Sequence, residues 1–431
     1  MKTRLRPVAC GLVLVALGTS HGNAQSLANR INAVREGRVH FTFAAREGVC
    51  GNGRSFISIG SDMHIGSYSF MSDGRLSEPC QRGPVRVVLD RADGAVIDVN
   101  TYVGTATGEP AVTDAATNLG AVRAADAAQY FLGLAATADG KPSRDAILPA
   151  VLADSIDVTQ YLLALARDEA RPRETRRSAM SWAGRLTDTP GAGPRVAEAL
   201  VRIARNENDN NNVREQALNT LARLDHGAGI GSLMELARTG GDAWLVRGSV
   251  QALAQSGDPR ARGYLRSLVE RADAPDDVMA IAIRGVGREF ATARDAELLR
   301  QVYPKLSGER TKQSVINTLG EVGGTANERW LLGIARDENE RQSLRRHALQ
   351  QARRNVPIAE LVALYDRTTD PSMKEALISI YVESGDRAAI DKLISILRSE
   401  ENQRLRRRAI NHLSRSEDPR VRAELAKIVD Q

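Results

Sequence analysis

Beyond residue 24 the chain has five histidines: His40, His64, His226, His347 and His412. None lies in a His-Glu-x-x-His run or in a pair at metal-ligand spacing, the pattern by which one helix presents two imidazoles to zinc. Asp62-Met63-His64 is the short acid–histidine cluster, set in a Gly/Ser-rich turn. It can be read as a solvated loop, or as a metal or catalytic site beside the Cys50–Cys80 loop. Cys50-Gly51-Asn52-Gly53 has two glycines but lacks the downstream glycine and helix of a phosphate cradle, so it reads as a turn. No Gly-x-Ser-x-Gly elbow, Walker sequence or Ser-x-x-Lys stands in a strand–turn–helix context. The sequence therefore nominates no catalytic residue, no metal ligand set and no cofactor.

The cysteines carry structural chemistry instead. Lys2, Arg4 and Arg6 precede an apolar run from Val8 to Leu17, and Gly22-Asn23-Ala24 places small residues at a cleavage site. That is the anatomy of a secretory signal peptide, residues 1–24, with an apolar run too short to span a bilayer. Export to the periplasm or the exterior follows as the expectation. Cys10 leaves with the signal, and the remaining pair, Cys50 and Cys80, is expected to form a disulfide. Closing about 30 residues, it would stabilise the fold by roughly 3–4 kcal/mol. Cleavage also removes three positive charges from a net charge of +6, leaving +3. Location and weak charge together argue against nucleic acid as a partner. No second long apolar segment follows, so no membrane span is expected.

The chain has 431 residues, 42% hydrophobic, 26% charged and only 4% aromatic. Cores built mainly of Ala, Leu, Val and Ile favour closely packed helices, and the chain repeats itself. Starting from Ala146, one local pattern recurs at Ala179, Ala217, Val250, Ala282, Val315, Ala348, Ala376 and Ala409, with spacings of 28 to 38 residues and mostly 33. The residues one and four steps past these anchors are almost all apolar. Positions i, i+1 and i+4 share a helix face, so each unit contains a helix with one buried stripe. A second helix precedes it, marked by Leu162, Leu200, Leu233, Leu265, Leu298 and Leu331, each 17 residues before its anchor. The exceptional spacings fall at Thr189-Pro190-Gly191, the Asn206–Asn212 run and Asp370-Pro371, all predicted turns.

A two-helix unit of about 33 residues resembles the HEAT repeat, in the short bacterial form also found in phycobilisome-lyase-like proteins. Arg176, Arg214, Arg247, Lys312, Arg345 and Arg406 stand three residues before their anchors, similar to the Arg of the HEAT Asp/Arg ladder. Met279 and Met373 depart from that pattern, Lys374 being adjacent to the latter. The resemblance spans residues 120–431 and implies a right-handed α-solenoid of about nine hairpins, capped by a helix over Pro419–Val429. Residues 25–104 read differently: a helix from Ser26 to Glu36, then a small β-rich module of five strands with a hairpin at Asp93-Gly94. Residues 105–119 are the predicted linker.

Surface candidates lie on the array. Arg346 and Arg353 are seven apart and share a helix face, and Arg407 belongs to the basic run Arg406–Arg408. A strip for an acidic partner is one reading, a solvated or ladder-paired face the other. Trp182 and Trp244 are the candidate aromatic anchors. The leading expectation is a non-enzymatic scaffold or adaptor binding a protein or peptide along the array. An enzyme or accessory with its site in the β module, and a lyase-like cofactor chaperone, are the alternatives.

Overall fold

Alternation puts Val39, Phe41 and Phe43 on the buried side of strand β1 (Gly37–Phe43) and leaves His40 and Thr42 half-buried on the other. The structure, a computed structural model, describes residues 21–60, 63–66, 80–104, 116–154, 156–187, 191–288, 292–352, 356–414 and 418–429. The apolar run of the predicted signal and the predicted strand Tyr68–Phe70 lie outside these residues. Helix α1 (His21–Asn32) stops four residues short of the expected Glu36. The chain is mainly helical with a β-rich amino-terminal part, and it divides into two compact units. One ends at Thr220 and takes in Leu224–His226; the other comprises Leu221–Arg223 and Gly227–Gln431.

In the first unit, β5 (Val85–Ala92) and β6 (Ala95–Val103) form a hairpin whose turn holds Asp93 at φ 53° and Gly94 at φ 77°. Two consecutive left-handed residues are what a two-residue hairpin of type I′ requires, and Asp-Gly supplies them at low cost. β1 pairs antiparallel with β5 and parallel with β7 (Thr117–Ala121), giving the order β6-β5-β1-β7. A separate three-stranded sheet joins β2 (Val49–Gly51), β3 (Phe56–Ile59) and β4 (Met63–Gly66). Strands β2, β4 and β7 go beyond the sequence expectation. They are three to five residues long and polar or Gly-rich, too short to show a period. Strand β7 also takes in residues 117–119 of the predicted linker; residues 105–115 lie outside the described residues.

Helix α2 (Ala124–Thr137) closes the larger sheet, setting Phe131 5.9 Å from Phe41 and 6.4 Å from Phe43 between ring centroids. Arg91, only 4% exposed, donates to the Ile31 carbonyl at 2.9 Å and to Asn32 Oδ1 at 3.0 Å. A guanidinium thus satisfies the open carbonyl end of α1. The first predicted unit is irregular: α3 (Gly140–Asp145) and α4 (Ile147–Leu152) break at its anchor, Ala146. The end of α4 hydrogen-bonds back to the sheet, Arg46 N to Leu152 O at 2.9 Å and Asp154 N to Ala44 O at 3.1 Å. Regular hairpins follow: α5 (Thr159–Arg167) with α6 (Arg173–Arg185), then α7 (Ala192–Arg205) and α8 (Asn211–Leu221).

The second unit continues with α9 (Ile230–Thr239), α10 (Ala243–Gln255), α11 (Pro259–Arg271), α12 (Asp276–Val286), α13 (Ala293–Val302) and α14 (Glu309–Val322). After them come α15 (Thr325–Arg336), α16 (Gln342–Ala352), α17 (Ile358–Arg367), α18 (Pro371–Ser384), α19 (Arg387–Ser399), α20 (Gln403–Leu413) and α21 (Pro419–Val429). Asp258-Pro259 and Asp370-Pro371 start helices, each aspartate accepting a backbone N–H from two residues on. Successive second helices pack on one another, α10 on α12, α12 on α14, and so on to α20.

The anchors from Ala179 to Ala348 are fully buried, as is Ala409. The eighth, Ala376, is half-buried, whereas its neighbour Leu377 is fully buried with Ile378 and Tyr381 one and four steps on. The register there is set by Leu377. Lys374, three before it, then takes the ladder position, and Met373 is no departure. The same one-residue slip moves the marker of α13 from half-buried Leu298 to buried Leu299.

Three of the predicted ladder arginines act alike, whereas Arg247 is exposed and departs from them. Arg176 Nε donates to Ala166 O at 2.9 Å, Arg214 Nε to Ala204 O at 3.0 Å and Arg345 Nε to Ala335 O at 3.3 Å. Each satisfies a carbonyl in the last turn of its partner helix. The Arg176 fork then grips Asp209 at 2.7 and 2.5 Å, one unit further on. Lysine lacks the fork, and tyrosine supplies the second donor. Lys312 and the Tyr303 hydroxyl both bind Glu340, at 2.7 and 3.0 Å. Lys374 and Tyr365 bind Glu400 at 3.1 and 2.7 Å in the same way. Each ammonium also sits 4.9 to 5.0 Å above its tyrosine ring.

Glycine sets how closely second helices cross. A Cβ on Gly184 would lie 2.4 Å from Thr220 Cγ2, one on Gly287 1.9 Å from Thr318 Cγ2, and one on Gly320 2.6 Å from Gln351 Oε1. In each pair the glycine is five past its anchor, and the residue it admits is three past the next.

Candidate functional site

Counted from Val315, Ala348, Leu377 and Ala409, the buried stripe occupies positions −3, 0, +1 and +4. Positions −5, −2, −1 and +2 repeat the same i, i+3, i+4, i+7 pattern, displaced by two residues. At about 100° per residue this second stripe lies roughly 200° around the helix, away from the first-helix layer. Sequence places polar side chains there on α14, α16, α18 and α20, and together they line an open groove of about 600 Å³.

Position −5 contributes Ser343, Ser372 and Arg404, and position −2 contributes Gln313, Arg346 and Glu375. His347, Ala376 and Arg408 come from position −1, and Gln350 and Ser379 from position +2. Among the described residues no Phe, Tyr or Trp lines the groove, and Glu375 is the acid among three arginines. Arg404 donates to both Glu375 oxygens at 3.1 and 3.3 Å, and Arg408 bonds Glu375 and, at 3.0 Å, Ser379. The buried Arg408 Nε has no acceptor among the described residues. Nearby Glu309 is occupied by Arg341 at 2.9 Å and Ser343 at 2.5 Å. Burial pushes the His347 imidazole below its ordinary pKa, and its Nε2 bonds Asn317. His347 is therefore a neutral, engaged ring, unsuited to carrying charge at neutral pH.

Arg346 is the exception. It is exposed and forms no hydrogen bond or ion pair among the described residues. A guanidinium held on a helix face without an acceptor is a ready donor fork for a carboxylate.

Of the residues nominated from sequence, Arg346 lines the groove. Arg407 occupies the same −2 row on α20, exposed, but outside the lining. Arg353 lies outside the described residues. Trp182, in the first unit, is half-buried at position +3, where Thr220 and Thr318 pack against the preceding second helix. Trp244 is half-buried at the start of α10, its backbone N–H bound by Asp242. Neither tryptophan reaches the groove lining. Sequence reasoning did not bring out Gln313, Glu375, Ser379 and Arg408; the 33-residue period aligns Gln313 with Arg346, but the shorter step to Leu377 takes Glu375 and Ser379 out of that period.

In the β module, Cys50 and Cys80 form a disulfide with Cα atoms 5.3 Å apart, tying β2 to the segment before β5. Gly51 and Gln81 exchange backbone hydrogen bonds beside it at 3.0 and 2.8 Å. His64 Nδ1 meets Ser58 Oγ at 3.1 Å as a cross-strand pair of β3 and β4, with Ser58 3% exposed. Asp62 lies outside the described residues. Among those described, no three His, Cys, Asp or Glu side chains group as a metal would need, and no helix is long and apolar enough to cross a membrane. Compared with protein-family models and with curated proteins, the chain matches none.

Proposed function

We propose that this chain is an exported scaffold or adaptor: a HEAT-like α-solenoid that binds a protein or peptide partner along its second helices. The observation that carries the reading is the groove across α14, α16, α18 and α20, where Arg346 stands without an acceptor. Those polar positions are not needed by the core, and burial there would leave arginines to be matched by a partner. The resemblance to short HEAT repeats, the stacking of successive second helices and the repeating cationic ladder support the solenoid. Signal-like residues 1–24 and the Cys50–Cys80 disulfide support export to the periplasm or beyond.

The test is affinity capture from a native envelope extract with the full mature chain and its Arg346→Glu/Arg404→Glu/Arg408→Glu variant, both checked for native helicity by circular dichroism. Partners retained by the native chain and lost by the variant support the reading. Identical retention by the two would refute it.

A further inference from the structure

We infer that the groove takes an extended acidic peptide segment, carrying two carboxylate side chains six residues apart, and that Glu375 is its intramolecular stand-in. The inference rests on the scaffold reading above and names the chemistry of the partner. Charge complementarity comes first. Three arginines line the groove against one carboxylate, and that carboxylate is held by two of them, Arg404 and Arg408, while Arg346 has none. A partner carboxylate can therefore bind Arg346 directly. A second can compete with Glu375 for the Arg404 fork, whose side chain is 79% exposed.

Spacing follows from the helices. Arg346 is on α16 and Arg404 on α20, two helix steps apart at roughly 8–10 Å per step. An extended chain rises about 3.3 Å per residue, so roughly 16–20 Å takes five or six residues. Side chains of an extended peptide alternate, and only an even separation turns both carboxylates toward the groove; six is the match. Between the two arginine sites, Gln350 and Ser372 offer an amide and a hydroxyl group to the peptide backbone. Single-stranded nucleic acid fits less well, because no Phe, Tyr or Trp lines the groove for bases to stack on and its one imidazole, His347, is half-buried and bound to Asn317.

The experiment measures binding of the full mature chain to a labelled Ser/Gly-based peptide with Glu at positions i and i+6. The comparison probes are its Gln,Gln counterpart, an i,i+3 version and a single-stranded oligonucleotide. The i,i+6 peptide is expected to bind tightest and to weaken as salt rises. Arg346→Gln should weaken it about fivefold, the scale of one charge-assisted hydrogen bond lost at an exposed site. Glu375→Gln should tighten it by about threefold to fivefold, since it removes the competing carboxylate. A Glu375 that merely supports structure would give loss instead, and that result overturns the proposal. Equal binding of the Gln,Gln peptide, or an oligonucleotide that binds more tightly through Arg346, also overturns it. If arginine-dependent capture from extract persists while no acidic peptide binds, the scaffold reading stands and this inference falls.

Discussion

Replacing Arg176 by Met tests whether the ladder, rather than hydrophobic stacking alone, holds consecutive hairpins together. The Arg176 and Asp209 side chains are 5% and 4% exposed, and the guanidinium also satisfies the Ala166 carbonyl. Methionine keeps the stem's packing but strands a buried carboxylate and a helix-end carbonyl. Breaking a buried pair from one side costs about 3–5 kcal/mol. Spread over the roughly 200 residues of the unit, that lowers its melting temperature by about 6–20 °C. The assay is thermal denaturation followed at 222 nm, with the double variant Arg176→Met/Asp209→Leu alongside. Because the second change removes the stranded charge, it should recover more than half of the loss. A single-variant loss below about 1 kcal/mol, the value of an exposed pair, would refute the argument. So would a double variant no better than the single one.

Further outcomes can be checked together. Cys50→Ser/Cys80→Ser, or mild reduction, should destabilise the β module by about 3–4 kcal/mol, read by denaturant unfolding with near-ultraviolet circular dichroism. Gly287→Ala forces a methyl to within 1.9 Å of buried Thr318; a loss of about 1–3 kcal/mol is expected, partly restored by Thr318→Ser. Burial pushes the Asp295 carboxyl up, but the Arg266 fork and the Thr292 hydrogen bonds outweigh this and hold it at about 2. A depressed carboxylate contributes stability above its unfolded pKa of about 4 and loses it as pH falls toward 2. Melting temperature should therefore fall more steeply over that window in the native chain than in Asp295→Asn.

Much of the helical part was legible because its signals are redundant. A 33-residue repeat, a buried i, i+1, i+4 stripe and Asp-Pro starts all name the same boundaries. What misled was a one-residue slip. Alanine 376 matches the other anchors in type, but burial is decided in three dimensions, and there Leu377 takes the inner place. That slip left Lys374 one residue off the ladder position, noted only as adjacent to Met373, and so hid the twin Tyr–Lys–Glu arrangements. It also kept Glu375 and Ser379 out of the rows of Arg346 and Gln350, so the groove could not be assembled from sequence. Strands β2, β4 and β7 were hidden for another reason: they are three to five residues long and polar or Gly-rich, unlike the equally short but apolar β3.

Where the groove begins is itself a consequence of residue type. On α12 the positions −2 and −1 are Ala280 and Ile281, both buried, and on α10 the positions −1 and +2 are Ser249 and Ala252, likewise buried. On α14 and α16 the −2 position becomes Gln313 and Arg346, both exposed. The −2 row of this stripe, half-buried Gly248 on α10 and buried Ala280 on α12, thus turns polar at Gln313 on α14 and stays so through Arg346, Glu375 and Arg407 on α20, although Arg284 at +2 on α12 is already exposed. Folding demands only the first stripe, so the second is free to vary, and on these four helices it varies toward arginine, glutamine and serine. Adding polar residues for solubility would favour paired or mixed charges. Arg346, exposed beside the Arg404–Glu375–Arg408 cluster, is the position on this stripe where the proposed acidic partner would add a carboxylate without displacing one already there.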